Sequence, residues 1–532
     1  MLLNLESLKN TKAWEDLGVK VPNYDIAAMA ERTKKDPIWI HFGSGNTYRG
    51  FISSLQHDLL KQGLTDKGII AAETFDGEII DRIFKPYDNL SLQVTLEGSG
   101  NMDSEIIAST AEALRADTQR ARLEEIFCKS CLQIVSFTIT EKGYFLRGTD
   151  GKLISQVEED MKNGPEKARQ VMAVIAALLF KRYKAGKLPI TVSCLDNYPK
   201  NGERLQGSLL EISRAWKEGG FVDSGFIDYL LDEKQVSFPW SMIDKITPRP
   251  DDSVYKFLDD KGIGDMKPIL TANNTYIAVF VNTERPQYLV IEDKFPNGRP
   301  PLEKAGVYMT DRDTVNKTEQ MKVATCLNPL HTAMAIYGML FGYTKIADEM
   351  KDREIVELIK RLGLVEGLPV VTDPKIISPK AFLDEVLNER LPNPFMPDAP
   401  MRIVSDTSLK VGMRFGETIK NYIKNKMPLS DLVSIPLAIA GWMRYLLGIN
   451  DNGEALEISY DPLKEELQEK LKGIVWNKKE SYTGQLKNIL CNESIFGLDL
   501  CKTELAPRIE EYFISMLEGP GAVRSLLQKK LP

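Results

Sequence analysis

Short apolar runs and amphipathic stretches alternate along the first half of this chain. Apolar runs bounded by turn residues predict buried strands, and they occur at Pro37–Phe42, Gly68–Ala72, Leu92–Leu96, Gln133–Thr140 and Ile190–Cys194. Long helical patterns separate these runs. Because alternating strands and helices favour a parallel, doubly wound sheet, the first half is predicted to be an α/β domain.

The pattern changes after a turn-rich segment, Lys294–Pro301, which reads K-F-P-N-G-R-P-P. Beyond it strand patterns almost disappear, and amphipathic helical spacing dominates from about Val323 onwards. The sequence therefore predicts an α/β domain with a doubly wound sheet over residues 1–298 and a mainly α-helical domain over residues 299–532.

The composition is that of an ordinary globular protein, with 43% hydrophobic and 27% charged residues among 532. A net charge of −7 and the lack of a long basic block argue against a nucleic-acid-binding protein. The apolar stretch Leu432–Ile449 contains Pro436 and Arg444, which are unfavourable in a membrane span. Since the first residues show no basic leader followed by an apolar run, we predict a cytoplasmic protein with no nucleic-acid or membrane partner.

The six cysteines are sparse for this length, and we expect reduced thiols. Cys128 and Cys131 form a C-x-x-C pair. A structural zinc site usually needs a second such pair, and a redox pair normally opens a helix, whereas this one leads into the strand-like L-Q-I-V-S-F-T-I-T. The two cysteines are therefore interpreted as incidental, and no metal site is predicted.

A glycine turn follows the first predicted strand. The strand runs into G-S-G-N-T-Y-R-G at residues 43–50 and then into a helical pattern, which is the context of a dinucleotide-binding turn. The second predicted strand ends at Glu73, where a carboxylate accepts hydrogen bonds from the adenosine ribose and favours NAD over NADP. Two alternatives stay open: Tyr48 replaces the third glycine, as in an ordinary strand-to-helix turn, and Asp76 is a second candidate for the ribose role.

The segment Lys322–His331, K-V-A-T-C-L-N-P-L-H, combines a lysine, Asn328 and one of only three histidines. A lysine can move a proton, an amide can hold a carbonyl oxygen, and an imidazole can donate to a substrate oxygen, as hydride transfer at a secondary alcohol requires. Structural alternatives exist for each residue: a solvated lysine, an N-cap before Pro329, and a core histidine.

Several blocks, in order along nearly the whole chain, resemble motifs of the polyol-specific long-chain dehydrogenases, which include mannitol 2-dehydrogenase, fructuronate reductase and tagaturonate reductase. The first four are H-F-G-S-G-N-T-Y-R (41–49), T-I-T-E-K-G-Y (138–144), S-C-L-D-N-Y-P-K-N-G (193–202) and F-P-W-S-M-I-D-K-I-T-P (238–248). The later three are V-I-E-D-K-F-P-N-G-R-P (290–300), E-R-L-P-N-P-F-M-P-D (389–398) and W-M-R-Y-L-L-G-I-N-D-N-G (442–453).

The resemblance implies an NAD-binding domain of the Rossmann type and hydride transfer without a metal, with Lys322 as the general acid and base. It implies that Asn197 and Asn328 hold the reacting oxygen, that His331 orients the substrate, and that Asp244 lies near the site. The residues it implies for NAD binding are Phe42, Gly43, Gly45, Asn46, Arg49, Glu73, Thr138 and Glu141.

The segment R-I-V-S-D-T-S-L-K-V-G-M-R-F-G-E-T-I (402–419) resembles the members of this family that act on sugar acids. Four cations are therefore candidates for binding a sugar carboxylate: Arg390, Arg402, Lys410 and Arg414. Alternatively, these cations are solvated or pair with Asp398 and Asp406. The expected partner is a small sugar acid, and the protein is expected to be a monomer or small homo-oligomer.

One departure from the family concerns the spacing in the catalytic segment. Five residues separate Lys322 from Asn328, one more than is usual, and the glycine that usually follows the asparagine is Pro329. In a continuous helix the extra residue would rotate the lysine by ~100°. We expect the break at Asn328–Pro329, or a bulge before it, to absorb that residue.

The predicted function is that of an NAD-dependent oxidoreductase interconverting D-fructuronate and D-mannonate. The alternatives are a mannitol-type polyol 2-dehydrogenase, a tagaturonate reductase, an epimerase that retains its NAD, and a nucleotide-binding protein without catalytic activity.

Overall fold

A six-stranded parallel sheet forms the centre of the amino-terminal part of this computed structural model, which describes residues 1–531. The chain divides into two compact units. The first comprises Met1–Glu97 and Asn101–Asn316, and the second comprises Gly98–Gly100 and the chain from Lys317 onwards. The predicted domain boundary between residues 298 and 299 stays a prediction.

All strands of the described residues lie in the first unit. They are β1 (Val19–Lys20), β2 (Trp39–Phe42), β3 (Ile69–Glu73), β4 (Ser91–Leu96), β5 (Met102–Ile107), β6 (Thr110–Arg115), β7 (Ile134–Phe137), β8 (Ile190–Cys194), β9 (Val236–Ser237), β10 (Ser241–Asp244), β11 (Ile269–Leu270), β12 (Tyr276–Ile277), β13 (Phe280–Glu284), β14 (Tyr288–Glu292) and β15 (Tyr308–Thr310).

The helices of the first unit follow or connect these strands. They are α1 (Thr11–Asp16), α2 (Ile26–Lys35), α3 (Ser53–Lys61), α4 (Gly77–Ile79), α5 (Arg120–Phe127), α6 (Ser155–Asn163), α7 (Val171–Lys184), α8 (Asn201–Glu218), α9 (Ser224–Leu231) and α10 (Asp252–Asp260). A further helix, α11 (Arg312–Met321), contains the division between the units.

The second unit is helical. Its α-helices are α12 (Asn328–Phe341), α13 (Ile346–Glu349), α14 (Arg353–Lys360), α15 (Pro379–Glu385), α16 (Pro400–Ile403), α17 (Thr407–Val411), α18 (Glu417–Lys424), α19 (Ser434–Tyr445), α20 (Lys464–Lys470), α21 (Lys487–Leu490), α22 (Glu493–Phe496), α23 (Leu505–Ser515) and α24 (Ala522–Lys530). The predicted change from α/β to mainly α structure is confirmed.

The six-stranded sheet has the order β6-β3-β2-β7-β8-β9, and every neighbouring pair is parallel. Counted along the chain within this sheet, the order is 3-2-1-4-5-6, which is that of the doubly wound dinucleotide-binding fold. The direction of winding reverses between β2 and β7, so the carboxyl ends of these strands flank the crevice where ligands bind in such sheets. The predicted doubly wound sheet is confirmed.

The predicted strand Leu92–Leu96 forms, but its assignment to the parallel sheet is wrong. As β4 it pairs antiparallel with β5 and parallel with β13, in a separate mixed sheet of order β1-β5-β4-β13. A short turn after β4 lets the chain fold back into β5. On one side β4 therefore pairs with the next strand in the sequence, and on the other side it pairs with β13, which is distant in the sequence. The two remaining sheets are β10-β14-β15 and β11-β12.

Helices that are apolar on all faces form the centre of each unit. In the first unit α7 lies against the parallel sheet with most of its side chains buried. In the second unit every residue of α19 is buried, and the Tyr337 hydroxyl of α12 donates to the Leu437 carbonyl at 2.8 Å. Over residues 1–531, no helix is long and apolar enough to cross a membrane. The cytoplasmic location stays a prediction.

The expectation of reduced thiols is wrong for two of the six cysteines. Cys491 and Cys501 form a disulfide in the second unit, with their Cα atoms 5.1 Å apart. The chain reverses through α22 between them, which brings together two cysteines that are ten positions apart. The remaining four cysteines, among them Cys128 and Cys131, are free thiols.

Candidate active site

The glycine turn predicted from the sequence lies at the carboxyl end of β2, where the winding of the sheet reverses. Gly43 has φ +97°, and a Cβ atom on it would lie 2.2 Å from the carbonyl oxygen of Thr138. Only glycine fits this approach to the end of β7. On Gly45, by contrast, a Cβ atom would meet no atom within 4 Å.

A helix begins directly at this turn. The Arg49 backbone N–H donates to the Gly45 carbonyl at 3.1 Å, and a π-helical turn, Tyr48–Ile52, continues into α3. The first backbone N–H groups of such a helix have no partners inside it and attract a phosphate. The close approach at Gly43, the open side of Gly45 and this helix start together fit the pyrophosphate of a dinucleotide.

Arg49 and Asn46 hold the glycine turn in place through hydrogen bonds. The buried Arg49 guanidinium donates to the Ala278 carbonyl at 2.7 Å and to the Asn46 side-chain oxygen at 2.9 Å. The Asn46 amide in turn donates to the Pro248 carbonyl at 3.2 Å. These contacts fix the turn to later segments of the first unit, and direct contacts of the two residues with a cofactor stay predictions.

Glu73 ends β3, and its carboxylate joins two turns. One oxygen accepts from the Ser44 N–H at 2.9 Å, and the other accepts from the N–H groups of Thr74, Phe75 and Asp76 at 3.0, 2.9 and 3.3 Å. Burial raises the pKa of Glu73, and these hydrogen bonds oppose that rise. The carboxylate therefore fixes the glycine turn relative to the loop after β3. Its predicted role toward the ribose is not tested by these contacts.

Asp76, the alternative candidate for the ribose, is also engaged. It is buried, and its carboxylate accepts from the Thr271 hydroxyl at 2.6 Å. Asp76 thereby ties the loop after β3 to the β11–β12 hairpin.

The other predicted cofactor residues differ in exposure. The Phe42 ring lies in the core and stacks on Phe137 at 5.6 Å, whereas Glu141 is exposed and pairs with Arg204 at 3.3 Å. The Thr138 hydroxyl donates to the Gly43 carbonyl at 3.2 Å. Thr138 therefore lies against the glycine turn, while Phe42 supports the sheet below it.

His41 is a buried residue of β2 beneath the turn. Its imidazole bonds the hydroxyls of Ser136 and Thr138 at 2.7 and 2.8 Å and stacks on Tyr48. Burial lowers the pKa of His41 to about 3, so the ring is neutral. Tyr48, in the place of the third glycine, thus has a packing role.

Asn197 and Asp244 belong to the first unit, whereas Lys322, Asn328 and His331 belong to the second. Asn197 is exposed in the loop after β8, and Asp244 is a buried residue at the end of β10.

Two polar residues in the same block as Asn197, Asp196 and Asn201, were not predicted from the sequence. The buried Asn201 side chain donates to the Ser241 hydroxyl at 2.9 Å and accepts from the Ser241 N–H at 3.0 Å, which joins the start of α8 to the start of β10. The Asp196 carboxylate accepts from the Ile139 N–H at 2.9 Å and the Tyr144 hydroxyl at 2.7 Å. Both lie in the block S-C-L-D-N-Y-P-K-N-G, where a run of polar residues after a buried strand was the available signal.

The segment from Lys322 to His331 contains a break between two helices, and the expected bulge is present. Lys322–Cys326 forms a π-helical turn after α11, and α12 begins at Asn328 with Pro329 in its first turn. A π-helical turn accommodates one residue more than an α-helical turn does. It therefore absorbs the extra residue between the lysine and the asparagine.

Lys322 is buried, with 2% of its surface exposed, so the alternative of a solvated lysine does not apply. Glu319 lies one helical turn before it and was not singled out from the sequence. Burial raises the pKa of Glu319, and the positive charge of Lys322 lowers it. Glu319 and Lys322 are three positions apart and therefore lie on one helix face. This spacing could have identified Glu319 from the sequence.

Asn328 is the first residue of α12 rather than its N-cap. Leu327 occupies the cap position and makes no side-chain cap bond. The Asn328 carbonyl accepts from the Thr332 hydroxyl at 2.9 Å. The capping alternative therefore does not explain the Asn328 side-chain amide.

His331 lies one turn further along α12. Its Nε2 is 3.6 Å from a carboxylate oxygen of Asp398. The pKa of His331 is lowered to about 4, chiefly by burial; the Asp398 carboxylate opposes this shift, and the positive charges of Arg414, Arg402 and Arg390 add to it. The imidazole is therefore neutral at neutral pH and can donate or accept a hydrogen bond.

The four predicted carboxylate-binding cations lie in the same unit and have different partners. Arg402 is exposed and pairs with Asp398, and the Lys410 ammonium donates to the Ser405 carbonyl at 2.5 Å. Arg390 is buried at the end of a π-helical turn, Val386–Arg390. Arg414 is half-buried and donates to the Thr332 hydroxyl. Arg390, Arg402 and Arg414 are close enough to His331 to affect its charge.

Comparison with known proteins identifies the family. A family model described as the mannitol dehydrogenase Rossmann domain matches residues 37–304, and one described as the mannitol dehydrogenase C-terminal domain matches residues 314–516. The chain belongs to the mannitol dehydrogenase family. It is therefore an oxidoreductase of the dehydrogenase type that acts on a secondary alcohol, and its cofactor is a nicotinamide dinucleotide.

Individual relatives align with this chain over nearly its whole length. A protein of Thermotoga maritima named D-mannonate oxidoreductase is 50% identical to this chain, with 99% of each chain covered. A solved structure of Pseudomonas fluorescens mannitol 2-dehydrogenase in ternary complex with NAD and D-mannitol is 26% identical, covers 99% of each chain and has a TM-score of 0.69. A substrate-free D-sorbitol dehydrogenase is 24% identical with full coverage of both chains and a TM-score of 0.79, which shows the same fold.

Proposed function

We propose that this protein is an NAD-dependent oxidoreductase that interconverts D-fructuronate and D-mannonate. The observation that carries the proposal is the 50% identity, over 99% of both chains, with the protein named D-mannonate oxidoreductase. The cations near His331 support an acidic substrate, because a desolvated carboxylate needs a positively charged partner.

Lys322 is proposed as the general acid and base. When bound, the reduced cofactor supplies the hydride that attacks the carbonyl carbon of the sugar acid. Lys322 gives one proton to the carbonyl oxygen as it becomes a hydroxyl, and in the reverse direction it takes that proton back. One hydride and one proton together convert the ketone into a secondary alcohol, so the step balances.

Asn328 and His331 are proposed to hold the substrate. The side-chain amide of Asn328 donates to the reacting oxygen and stabilises the charge that develops there. The neutral imidazole of His331 exchanges hydrogen bonds with a substrate hydroxyl. Asn197 and Asp244 keep the roles that the sequence predicts for them, as a second amide donor and as an acidic residue close to the reacting groups.

NAD rather than NADP is proposed because an acidic residue, Glu73, ends the second strand of the dinucleotide-binding sheet. Phe42, Gly43, Gly45, Asn46, Arg49 and Thr138 are proposed to act through the glycine turn that they form or support. Glu141 keeps the cofactor role that the resemblance predicts for it.

A substrate panel tests the proposal. Fructuronate, tagaturonate and fructose are incubated separately with NADH or NADPH, and consumption of the cofactor is followed by its absorbance. We expect rapid NADH consumption with fructuronate and NAD reduction with mannonate. Turnover of fructose and mannitol without turnover of the acids would indicate a polyol dehydrogenase. Product formed without net change in NADH would indicate an epimerase.

A further inference from the structure

The four cations predicted to bind a sugar carboxylate are not equivalent, because Arg402 and Lys410 already have partners. Arg402, whose side chain is 67% exposed, pairs with the Asp398 carboxylate. The ammonium of Lys410 donates to a backbone carbonyl, that of Ser405. The positive charge of each of these two side chains already has an oxygen acceptor, so neither requires a ligand carboxylate.

Arg414 differs from them. It is half-buried, burial lowers its pKa to about 10, and over residues 1–531 no carboxylate forms an ion pair with it. Its guanidinium donates instead to a neutral group, the Thr332 hydroxyl. A desolvated cation without a negatively charged partner is unfavourable, and a ligand carboxylate relieves that cost.

Thr332 holds Arg414 in one orientation. A threonine hydroxyl has a single hydrogen, and Thr332 donates it to the Asn328 carbonyl at 2.9 Å. The oxygen lone pairs then point away from that bond, and one of them accepts from Arg414. Asn328, His331 and Thr332 all lie in the first turns of α12, so the guanidinium is anchored to the helix that carries two of the proposed catalytic residues.

The backbone that carries Arg414 is also fixed. Arg414 lies in a π-helical turn, Gly412–Gly416, and both glycines of this turn touch α22. A Cβ atom on Gly412 would lie 2.7 Å from the Ile495 carbonyl oxygen, and one on Gly416 would overlap the Phe496 carbonyl oxygen. The turn therefore has little room to shift, and the Arg414 side chain is fixed at its backbone by this turn and at its guanidinium by Thr332.

We propose that Arg414 binds the carboxylate of the substrate and that Thr332 is its positioning residue. This assignment rests on the proposed function and names the residue that separates sugar acids from neutral polyols. One guanidinium nitrogen is engaged by Thr332, and the remaining N–H groups of the planar fork can reach both oxygens of a carboxylate.

The test compares the variant Arg414→Gln with the wild-type protein, using fructuronate and NADH. KM for fructuronate is expected to rise on the order of 10- to 100-fold, the range for loss of hydrogen bonds to a charged group, while kcat changes much less. For fructose, which has no carboxylate, kcat/KM is expected to stay unchanged. Lys424→Gln removes an exposed cation from the same unit and serves as the matched control.

Two further measurements separate binding from folding. In Arg414→Ala, added guanidinium ion is expected to restore fructuronate turnover, because the free cation can occupy the site of the missing group. Thr332→Val is expected to raise KM for fructuronate, and Thr332→Ser, which keeps the hydroxyl, is expected to behave like the wild-type protein.

The outcomes distinguish this inference from the proposed function. If the wild-type protein turns over neither fructuronate nor mannonate, the proposed function fails, and with it the assignment of Arg414. If the wild-type protein turns them over but Arg414→Gln leaves KM for fructuronate unchanged, the proposed function stands and the assignment of Arg414 is overturned. A fall in kcat/KM for fructose equal to that for fructuronate would overturn it as well.

Discussion

At the scale of single residues, the surroundings of His331 in the second unit determine the charge of its imidazole. The Asp398 carboxylate lies 3.6 Å from the His331 ring, and the positive charges of Arg414, Arg402 and Arg390 also act on it. Protonation would add a cation to three others in a partly desolvated place. The ring therefore stays neutral and keeps the ability to accept as well as donate a hydrogen bond.

His331 is predicted to titrate near pH 4 rather than near the ordinary value of about 6.5. Between these two values the unfolded chain binds a proton at this position that the folded protein does not. The free energy of unfolding should therefore fall as pH falls from about 6.5 toward 4, by up to about 1.4 kcal/mol per pH unit for this group. NMR of histidine-labelled protein measures the midpoint, with His331→Asn to assign the signal, and a midpoint at or above 6.5 would refute the prediction.

At this scale the sequence indicated the chemistry but not the partners. Lys322, Asn328 and His331 were selected because their side chains suit hydride transfer, and nothing in the sequence distinguished Arg414 from Arg402. That distinction appears only when Asp398 pairs with Arg402 and Thr332 with Arg414. Glu73 was selected for a ribose, and its four backbone hydrogen bonds could not be predicted because they depend on how two turns meet.

Among the elements, the π-helical turn at Lys322–Cys326 sets the direction of the lysine relative to Asn328. We predict that insertion of one alanine after Ala324 adds a residue that this turn does not absorb. Lys322 should then rotate by ~100° relative to α12, because each α-helical residue turns the chain by that angle. We expect kcat to fall as far as in a variant that lacks the lysine, while NADH still binds.

Fluorescence titration with NADH and a rate assay with fructuronate check this prediction. Ala324→Ser, which keeps the length of the turn, is the control and should retain activity. Full activity of the insertion variant would show that the length of this turn does not set the position of the lysine.

The Cys491–Cys501 disulfide is expected to stabilise the second unit by a measurable amount. It links two cysteines ten positions apart and so closes a loop that contains α22, the helix in contact with Gly412 and Gly416. Closure of such a loop stabilises a protein by about 2–3 kcal/mol. Cys491→Ser should therefore lower the free energy of unfolding by about that amount in denaturant titrations, and Cys128→Ser, at a free thiol, should not. Equal stability of all three proteins in the absence of a reductant would contradict the disulfide.

Strands with local signals were predictable, and strands with distant partners were not. β3 and β8 were located to within a residue, because each is a buried apolar run between turn residues. β4 was assigned to the wrong sheet because its parallel partner, β13, lies far along the chain. The disulfide was missed for a different reason: its two cysteines are only ten positions apart, but the reversal of the chain through α22 that brings them together was not predicted.

For the whole molecule, the residues proposed for the function are divided between two units. The glycine turn, the sheet with 3-2-1-4-5-6 order and Glu73 belong to the first unit, whereas Lys322, Asn328, His331 and Arg414 belong to the second. The order of blocks along the sequence predicted the family. The expected oligomeric state, monomer or small homo-oligomer, stays a prediction.

The central claim is that the chain reduces a keto sugar acid with Lys322 as the proton donor. The most direct test measures NADH consumption with fructuronate for the wild-type protein and for Lys322→Ala, with the exposed Lys351→Ala as control. We predict rapid consumption by the wild-type and control proteins, and a kcat about 10²- to 10⁴-fold lower for Lys322→Ala. Wild-type rates in Lys322→Ala, or no fructuronate turnover by the wild-type protein, would contradict the claim.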